Sequence, residues 1–157
     1  MNEIGLLYEK YAPDVFRFAL YLTGNRADAE DIVSETFVRV WTSAETVRTE
    51  TVKGLLFTIA RNLFLKQLKH NARRAELPEA IADPAPRVDT WLEQRDEAAA
   101  VFRAIESLPE TDRAALVMRA VDELAYSEIA RVLGISEVSA KVKVHRARAA
   151  LMKRRRG

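Results

Sequence analysis

The chain has 157 residues, enough for one average domain or two small ones. Hydrophobic residues make up 48% and charged residues 31%, which indicates a water-soluble protein with a packed core. It has no cysteine, which excludes disulfides, thiolate metal sites and cysteine nucleophiles. No apolar run approaches the roughly 20 residues that cross a bilayer, and the N-terminus does not resemble a signal peptide. We therefore expect a cytoplasmic protein without membrane insertion.

The first forty residues are predicted to be helical. Apolar side chains recur at the spacing of one helix face in the first eleven residues: Ile4, Leu7, Tyr8 and Tyr11. Pro13 suits the first turn of a second helix, and Gly24 suits its end. A third helix is expected over about 28–42, where apolar residues follow one stripe.

Helical patterns continue along the rest of the chain, with two interruptions. A loop over 43–53 precedes a fourth helix, and three of the five prolines lie in 76–90. We predict an extended linker there, with an ordered loop packed on one domain as the alternative. A fifth helix follows from Trp91, and Pro109 begins a sixth. The predicted fold is all-α, with two small helical domains over 1–75 and 91–157 joined by the Pro-containing linker 76–90.

Positive charge is concentrated in two acid-free blocks. Residues 61–74 contain five Lys or Arg, and residues 141–156 contain eight, although the net charge is only +2. Two such blocks, each on a predicted helix, suggest two contacts with a polyanion such as DNA. The alternative is that both are solvated helix faces.

The segment 128–153 has the pattern of a helix-turn-helix. Gly134 suits the positive φ of a tight turn, and Ser136 is a good N-cap for the helix that follows. Ala140 and Val144 face inward on that second helix. Its outward residues then suit base edges in a DNA major groove, with phosphates contacted by later basic residues. A helix corner that only packs is the alternative.

Three stretches together resemble a known family. They are "AEDIVSETFVRVW", "LLFTIARNLFLKQLKHNARR" and "IESLPETDRAALVMRAVDELAYSEIARVLGISEVSAKVKVHRARAAL". In this order they resemble a bacterial extracytoplasmic-function (group IV, sigma-70 family) RNA polymerase sigma factor over nearly the whole chain except the linker. The resemblance implies a σ2-like and a σ4-like helical domain that bring core polymerase to promoter −10 and −35 elements. It also implies an anti-sigma factor as partner, and no catalytic residue, metal or cofactor.

The resemblance assigns three sets of residues. Contacts to core polymerase, at the β′ clamp helices, are assigned to Asp31, Ile32, Glu35, Phe37 and Trp41, with some of the apolar members expected to stay in the core. The β flap is a further expected partner. The −10 set is Arg61, Asn62, Phe64, Lys66, Gln67, Lys69, His70, Arg73 and Arg74, with a base-holding loop at about 46–53. Phe64 could equally belong to the core. The −35 set is Ser136, Glu137, Val138, Ser139, Lys141, Lys143, His145, Arg146 and Arg148.

The chain departs from the family pattern at several positions. The family usually has Gln at Ser34, Trp at Leu55 and Asp at Lys66, so the −10 face here is more basic and promoter preference is not transferable. The family often has Gly and Ser where Glu123 and Ala125 stand in this chain. The first helix of the helix-turn-helix therefore lacks its usual cap, and we expect this helix to start at Ser127. The alternative function is a stand-alone DNA-binding regulator that dimerises through its N-terminal domain. An enzyme is disfavoured, since the sequence has no Gly-rich phosphate loop and no convincing nucleophile–base pair.

Overall fold

The computed structural model describes residues 3–42, 52–75 and 96–156, which form seven α-helices. These are α1 (Glu3–Thr23), α2 (Arg26–Thr42), α3 (Val52–Ala75), α4 (Asp96–Glu106), α5 (Glu110–Ala120), α6 (Tyr126–Leu133) and α7 (Glu137–Arg156). The all-α prediction is confirmed. Within the described ranges, none of these helices is long and apolar enough to span a membrane. We call α1–α3 the N-terminal half and α4–α7 the C-terminal half.

The first helix corrects one prediction. Pro13 does not begin a second helix, because α1 runs unbroken through it from Glu3 to Thr23. An interior proline removes one backbone hydrogen bond and costs about 3 kcal/mol. Pro13 itself is exposed, while the turn that follows buries Val15 and Phe18 completely. Packing of that buried face keeps the helix continuous despite the proline.

The corner between α1 and α2 is fixed by local chemistry. Gly24 has a φ of +66°, which is the left-handed conformation that ends a helix, so its predicted role is confirmed. Its N–H donates to the carbonyl of Leu20 over 2.8 Å. Asn25 then caps α2, because its Oδ1 accepts the backbone N–H of Asp28 over 3.0 Å. The helix therefore starts at Arg26, slightly earlier than expected.

The core extends through both halves. In the N-terminal half, α1 and α3 meet through the stacked rings of Phe18 and Phe57, whose centroids lie 4.5 Å apart. In the C-terminal half, Met118, Ile129 and Val144 are fully buried. The buried apolar residues of the two halves belong to one cluster. The helices of the two halves also touch directly, with α1 against α5 and α3 against α6.

Two sequence predictions fall partly or wholly outside the described ranges. The predicted linker 76–90 lies outside them, as do Trp91 and Leu92 at the expected start of the fifth helix. The described part of that helix is α4, which begins at Asp96. Pro109 is the N-cap of α5, one residue before the helix, as its sequence position predicted.

Candidate nucleic-acid interface

The exposed surface of α2 is mainly polar. Asp31 and Glu35 point outward, and Glu35 pairs with Arg39 at 3.3 Å. Trp41 is 66% exposed near the end of the helix. Ile32 and Phe37 are 1% and 5% exposed, so their assignment as polymerase contacts is corrected: they build the core from which α2 presents its polar side. Three residues of that predicted set remain available at the surface.

A shallow groove runs between α2 and α3. It is lined by Asp31, Ile32, Glu35, Leu63, Lys66, Gln67 and His70. The acidic side of α2 therefore faces the same groove as the basic side of α3. The sequence assigned these residues to two separate contacts, whereas the structure places them on one continuous surface with charges of both signs.

Along this groove and beyond it, α3 carries most of the predicted −10 set on open surface. Exposed members are Asn62, Lys66, Lys69, His70, Arg73 and Arg74, and Gln67 is half-buried. After Leu63, most side chains of α3 are polar. Within three turns, five exposed side chains are lysine, arginine or histidine. A surface of this kind attracts a phosphate backbone, and its binding weakens as salt concentration rises.

Two members of the −10 set are not on open surface. Phe64 is 3% exposed, and its ring lies 5.9 Å from the guanidinium of Arg113, so it belongs to the core. Arg61 donates two hydrogen bonds to Glu110, from Nε to Oε1 at 2.8 Å and from Nη2 to Oε2 at 3.0 Å. Arg61 is therefore corrected from a free DNA contact to a residue occupied by a carboxylate of the C-terminal half.

The helix-turn-helix is formed by α6 and α7. Gly134 has a φ of +67°, and the N–H of Ile135 donates to the carbonyl of Ala130 over 3.0 Å, which closes the turn. Ser136 caps α7, because its Oγ accepts the N–H of Ser139 over 3.1 Å. Both predictions are confirmed. Ser127, by contrast, does not start α6: the helix begins at Tyr126 and its N-cap position has no side-chain hydrogen bond.

The two sides of α7 differ sharply. Ala140, Val144 and Ala147 are fully buried and hold the helix against the C-terminal half. The opposite side presents Ser136, Glu137, Val138, Lys141, His145 and Arg148 as exposed residues, with Ser139 and Lys143 half-buried. Val138 is 71% exposed in the first turns, where a helix in a major groove meets bases. The predicted −35 set thus occupies one outward side.

A buried carboxylate positions this helix. Asp112, in the first turn of α5, accepts two hydrogen bonds from Arg146, at 2.9 Å from Nε and 2.7 Å from Nη2. The Nζ of Lys143 lies 3.8 Å from the same carboxylate. Hydrogen bonding to Asp112 raises the pKa of Arg146, and the charge of Asp112 adds to this effect. Arg146 therefore fixes α7 on α5, while its side chain stays 58% exposed and its assignment to the −35 set stays a prediction.

The structure also identifies residues that sequence reasoning missed. Glu110, Asp112 and Asp122 are acids of the C-terminal half that pair with basic residues of the candidate interface or of the N-terminal half. In the sequence the first two are ordinary acids at a helix start. Their partners lie 49 and 34 residues away, so a single sequence carries no signal for the pairing.

Comparison with known proteins identifies the family. The Sigma-70 region 2 family matches residues 7–74, and the Sigma-70, region 4 family matches residues 98–151. SigL, an ECF RNA polymerase sigma factor of Mycobacterium tuberculosis, is 30% identical over 153 residues, covering 92% of this chain and 84% of SigL. This chain belongs to the extracytoplasmic-function (ECF) sigma factors. Members of this family are transcription initiation factors.

Two further likenesses support this family and its fold. The ECF sigma factor SigE of Mycolicibacterium smegmatis is 38% identical over 148 residues, and the chain spans 57% of the length of SigE and 90% of its own. The sigma factor RpoE of Bartonella quintana, in its co-crystal structure with the anti-sigma factor NepR, matches with a TM-score of 0.80 at 21% identity. That match covers 98% of this chain and 96% of RpoE, and it shows that the ECF sigma factor fold is shared.

Proposed function

We propose that this ECF sigma factor binds core RNA polymerase and directs it to promoters through a −10 and a −35 contact. The observation that carries the proposal is the two-sided character of α7, which follows a capped turn at Gly134 and Ser136. One side is fully buried alanine and valine, and the other is mostly polar and basic, with Val138 and Val142 exposed among these residues. A helix held in this way can enter a major groove without disturbing its own fold.

The −35 contact is assigned to the outward side of α7. The early turns, from Ser136 to Lys141, are placed to meet base edges, which supply specificity. Lys143, His145 and Arg148 follow along the helix and suit phosphates, which supply affinity. Arg146 belongs to the same set: Asp112 holds its guanidinium, and its side chain is still 58% exposed.

The −10 contact is assigned to the exposed residues of α3. An opened promoter strand needs a basic groove and surfaces for unpaired bases. Asn62, Lys66, Gln67, Lys69, His70, Arg73 and Arg74 supply amide and cationic groups along one helix. The loop expected to hold a flipped base, at about 46–53, lies outside the described residues up to 51, and Val52 and Lys53 begin α3.

Contacts to core polymerase are assigned to Asp31, Glu35 and Trp41 on α2, facing the β′ clamp helices. Exposed carboxylates favour a basic partner, and an exposed tryptophan on the same helix is a typical interface anchor. The C-terminal half would meet the β flap. We propose domain bounds of 1–75 and 91–157 with a linker at 76–90, in line with the two family matches.

Regulation and location follow from the same assignment. RpoE of Bartonella quintana was solved in complex with the anti-sigma factor NepR, and CnrH with the cytosolic domain of CnrY. We propose that an anti-sigma factor likewise controls this chain. It acts in the cytoplasm, because core polymerase and promoter DNA are there, and it is not an enzyme, since all bond-forming chemistry belongs to the polymerase.

Run-off transcription tests the proposal. Bacterial core polymerase is mixed with this chain, and promoters are selected from a randomised DNA library. We expect specific transcripts from the wild type and loss of core binding in Asp31→Lys, with DNA binding retained. Glu3→Lys, an exposed acid at the start of α1, is the control for the same charge change. Absence of any transcript, together with binding of a palindromic site by the chain alone, would establish the stand-alone regulator instead.

A further inference from the structure

An exposed apolar pair lies at the centre of the outward side of α7. Val138 and Val142 are 71% and 53% exposed, and they are four residues apart in the helix. Residues with that spacing share one face of an α-helix, about 40° apart around its axis. Ala140 and Ala147 are fully buried on the opposite side, so the pair points away from the protein. The two valines therefore form one apolar ridge.

Positive charge borders this valine ridge on both edges. At about 100° per residue, Lys141 and Arg148 lie along one edge of the ridge. Lys143 and Arg146 lie along the other edge. Residues 141–156 contain eight Lys or Arg and no acid, so the occupant that this surface suits is a polyanion. Cations on two edges suit the two phosphate strands that border a major groove, and the ridge between them then faces the base edges.

The chemistry of the ridge limits what it can recognise on a base edge. Most groups in the major groove are hydrogen-bond donors or acceptors, which an aliphatic side chain cannot satisfy, and the C5-methyl group of thymine is the exception. Folding alone does not favour valine at these two positions, because an exposed side chain gains no packing and a β-branched residue is a slightly weaker helix former. A contact with thymine methyl groups gives both valines an apolar partner.

We propose that Val138 and Val142 recognise thymine methyl groups in the −35 element and so determine which sequences this chain prefers. Val142 lies outside the −35 set that the resemblance assigned, and it is an added specificity residue. Side chains four apart on a helix are roughly 6 Å from each other, which spans no more than about two base-pair steps of ~3.4 Å. The −35 element should therefore contain two thymines, on either strand, within about two base pairs of each other. The proposal rests on the proposed −35 role of α7.

Removal of the methyl group alone tests the contact. Promoters are first selected from a randomised library with core polymerase and the full-length chain. Each thymine of the selected −35 element is then replaced by deoxyuridine, which pairs as thymine does but lacks the C5-methyl group. We expect the affinity of the holoenzyme for the duplex to fall about fourfold at each of two positions, as for one methyl group left without an apolar contact.

Two variants assign the effect to the ridge. Val138→Ser and Val142→Ser each remove both methyl groups of one valine, and α7 should stay helical because serine and valine have similar helix propensities. Each variant should lose the deoxyuridine effect at one position and keep it at the other. Val101→Ser, at a valine that is 55% exposed on α4, is the control for the same substitution and should keep both effects. Full deoxyuridine effects in both α7 variants would overturn the proposal.

Other outcomes would also overturn it. A selected −35 element without thymine excludes the contact, as do equal affinities of the wild type for thymine and deoxyuridine at every position. Weaker binding of core polymerase by both α7 variants, with unchanged deoxyuridine effects, would assign the ridge to a protein partner instead.

Selection with the chain alone separates this result from the proposed function. Methyl-dependent duplex binding by a chain that directs no transcription supports the thymine contact, and the missing transcript then counts against the promoter role alone. Transcription by a chain that does not distinguish deoxyuridine from thymine refutes the contact and leaves the promoter role standing.

Discussion

Replacing Glu123 by glycine should stabilise the protein. Glu123 has a positive φ of 56° in the turn that leads into the helix-turn-helix. A left-handed conformation costs a non-glycine residue roughly 1–2 kcal/mol, and glycine loses about 0.5–1 kcal/mol more backbone entropy on folding. The Glu123 side chain is exposed and makes no hydrogen bond or ion pair within the described residues. We therefore expect the free energy of unfolding to rise by about 0.5–1 kcal/mol.

Urea unfolding, followed by far-UV circular dichroism, measures this change. With a urea dependence of about 2 kcal/mol per molar, the midpoint should rise by about 0.3–0.5 M. Glu123→Ala is the matched control, because it removes the same carboxylate next to Asp122 but keeps a Cβ at the strained position. An equal rise in both variants would refute the backbone explanation and assign the gain to charge.

Three further predictions concern single positions. Gly24→Ala and Gly134→Ala both put a Cβ at positive φ, but only the Cβ at Gly24 meets another side chain. Gly134→Ala should therefore lower the free energy of unfolding by about 1 kcal/mol, and Gly24→Ala should lower it by more. Urea midpoints of the two variants give this ranking. Ser136→Ala should cost about 1 kcal/mol through loss of its cap, and Ser127→Ala less than about 0.5 kcal/mol; equal drops in melting temperature would contradict this. Burial raises the pKa of Asp122 despite two nearby cations, so the folded state holds this proton more tightly than the unfolded chain. The contribution of Asp122 to stability is then present at acid pH and lost as the pH rises through its raised pKa. Asp122→Asn should therefore flatten the fall in urea midpoint between about pH 4 and pH 7. An unchanged slope of midpoint against pH would exclude Asp122 as the cause of the fall.

Features that depend on neighbours along the chain could be predicted from the sequence. The helix end at Gly24, the turn at Gly134 and the cap at Ser136 each depend on a few adjacent residues, and the structure confirms all three. The buried side of α7 likewise follows from the spacing of Ala140 and Val144. Local backbone preference and helix periodicity determine such features, so one sequence is sufficient to find them.

Features that depend on tertiary packing could not be predicted in this way. Pro13 looked like a helix start because proline favours that position, yet packing of the following turn keeps α1 continuous. The resemblance matched Ile32 and Phe37 to polymerase contacts and left open which apolar members are in the core, because their burial depends on how α2 packs in the N-terminal half. The pairing of Arg61 with Glu110 joins residues 49 positions apart. No periodicity in a single chain reports a contact of that range.

The start of α5 connects the two candidate DNA-binding helices. Glu110 and Asp112 both lie in its first turn, where the helix dipole favours negative charge. Glu110 reaches Arg61 on α3, and Asp112 reaches Arg146 on α7. The two acids leave their partners differently exposed: the Arg146 side chain is still 58% exposed beside Asp112, whereas the Arg61 side chain is 13% exposed beside Glu110. Because one turn of α5 carries both contacts, it fixes the positions of α3 and α7 relative to each other in this structure.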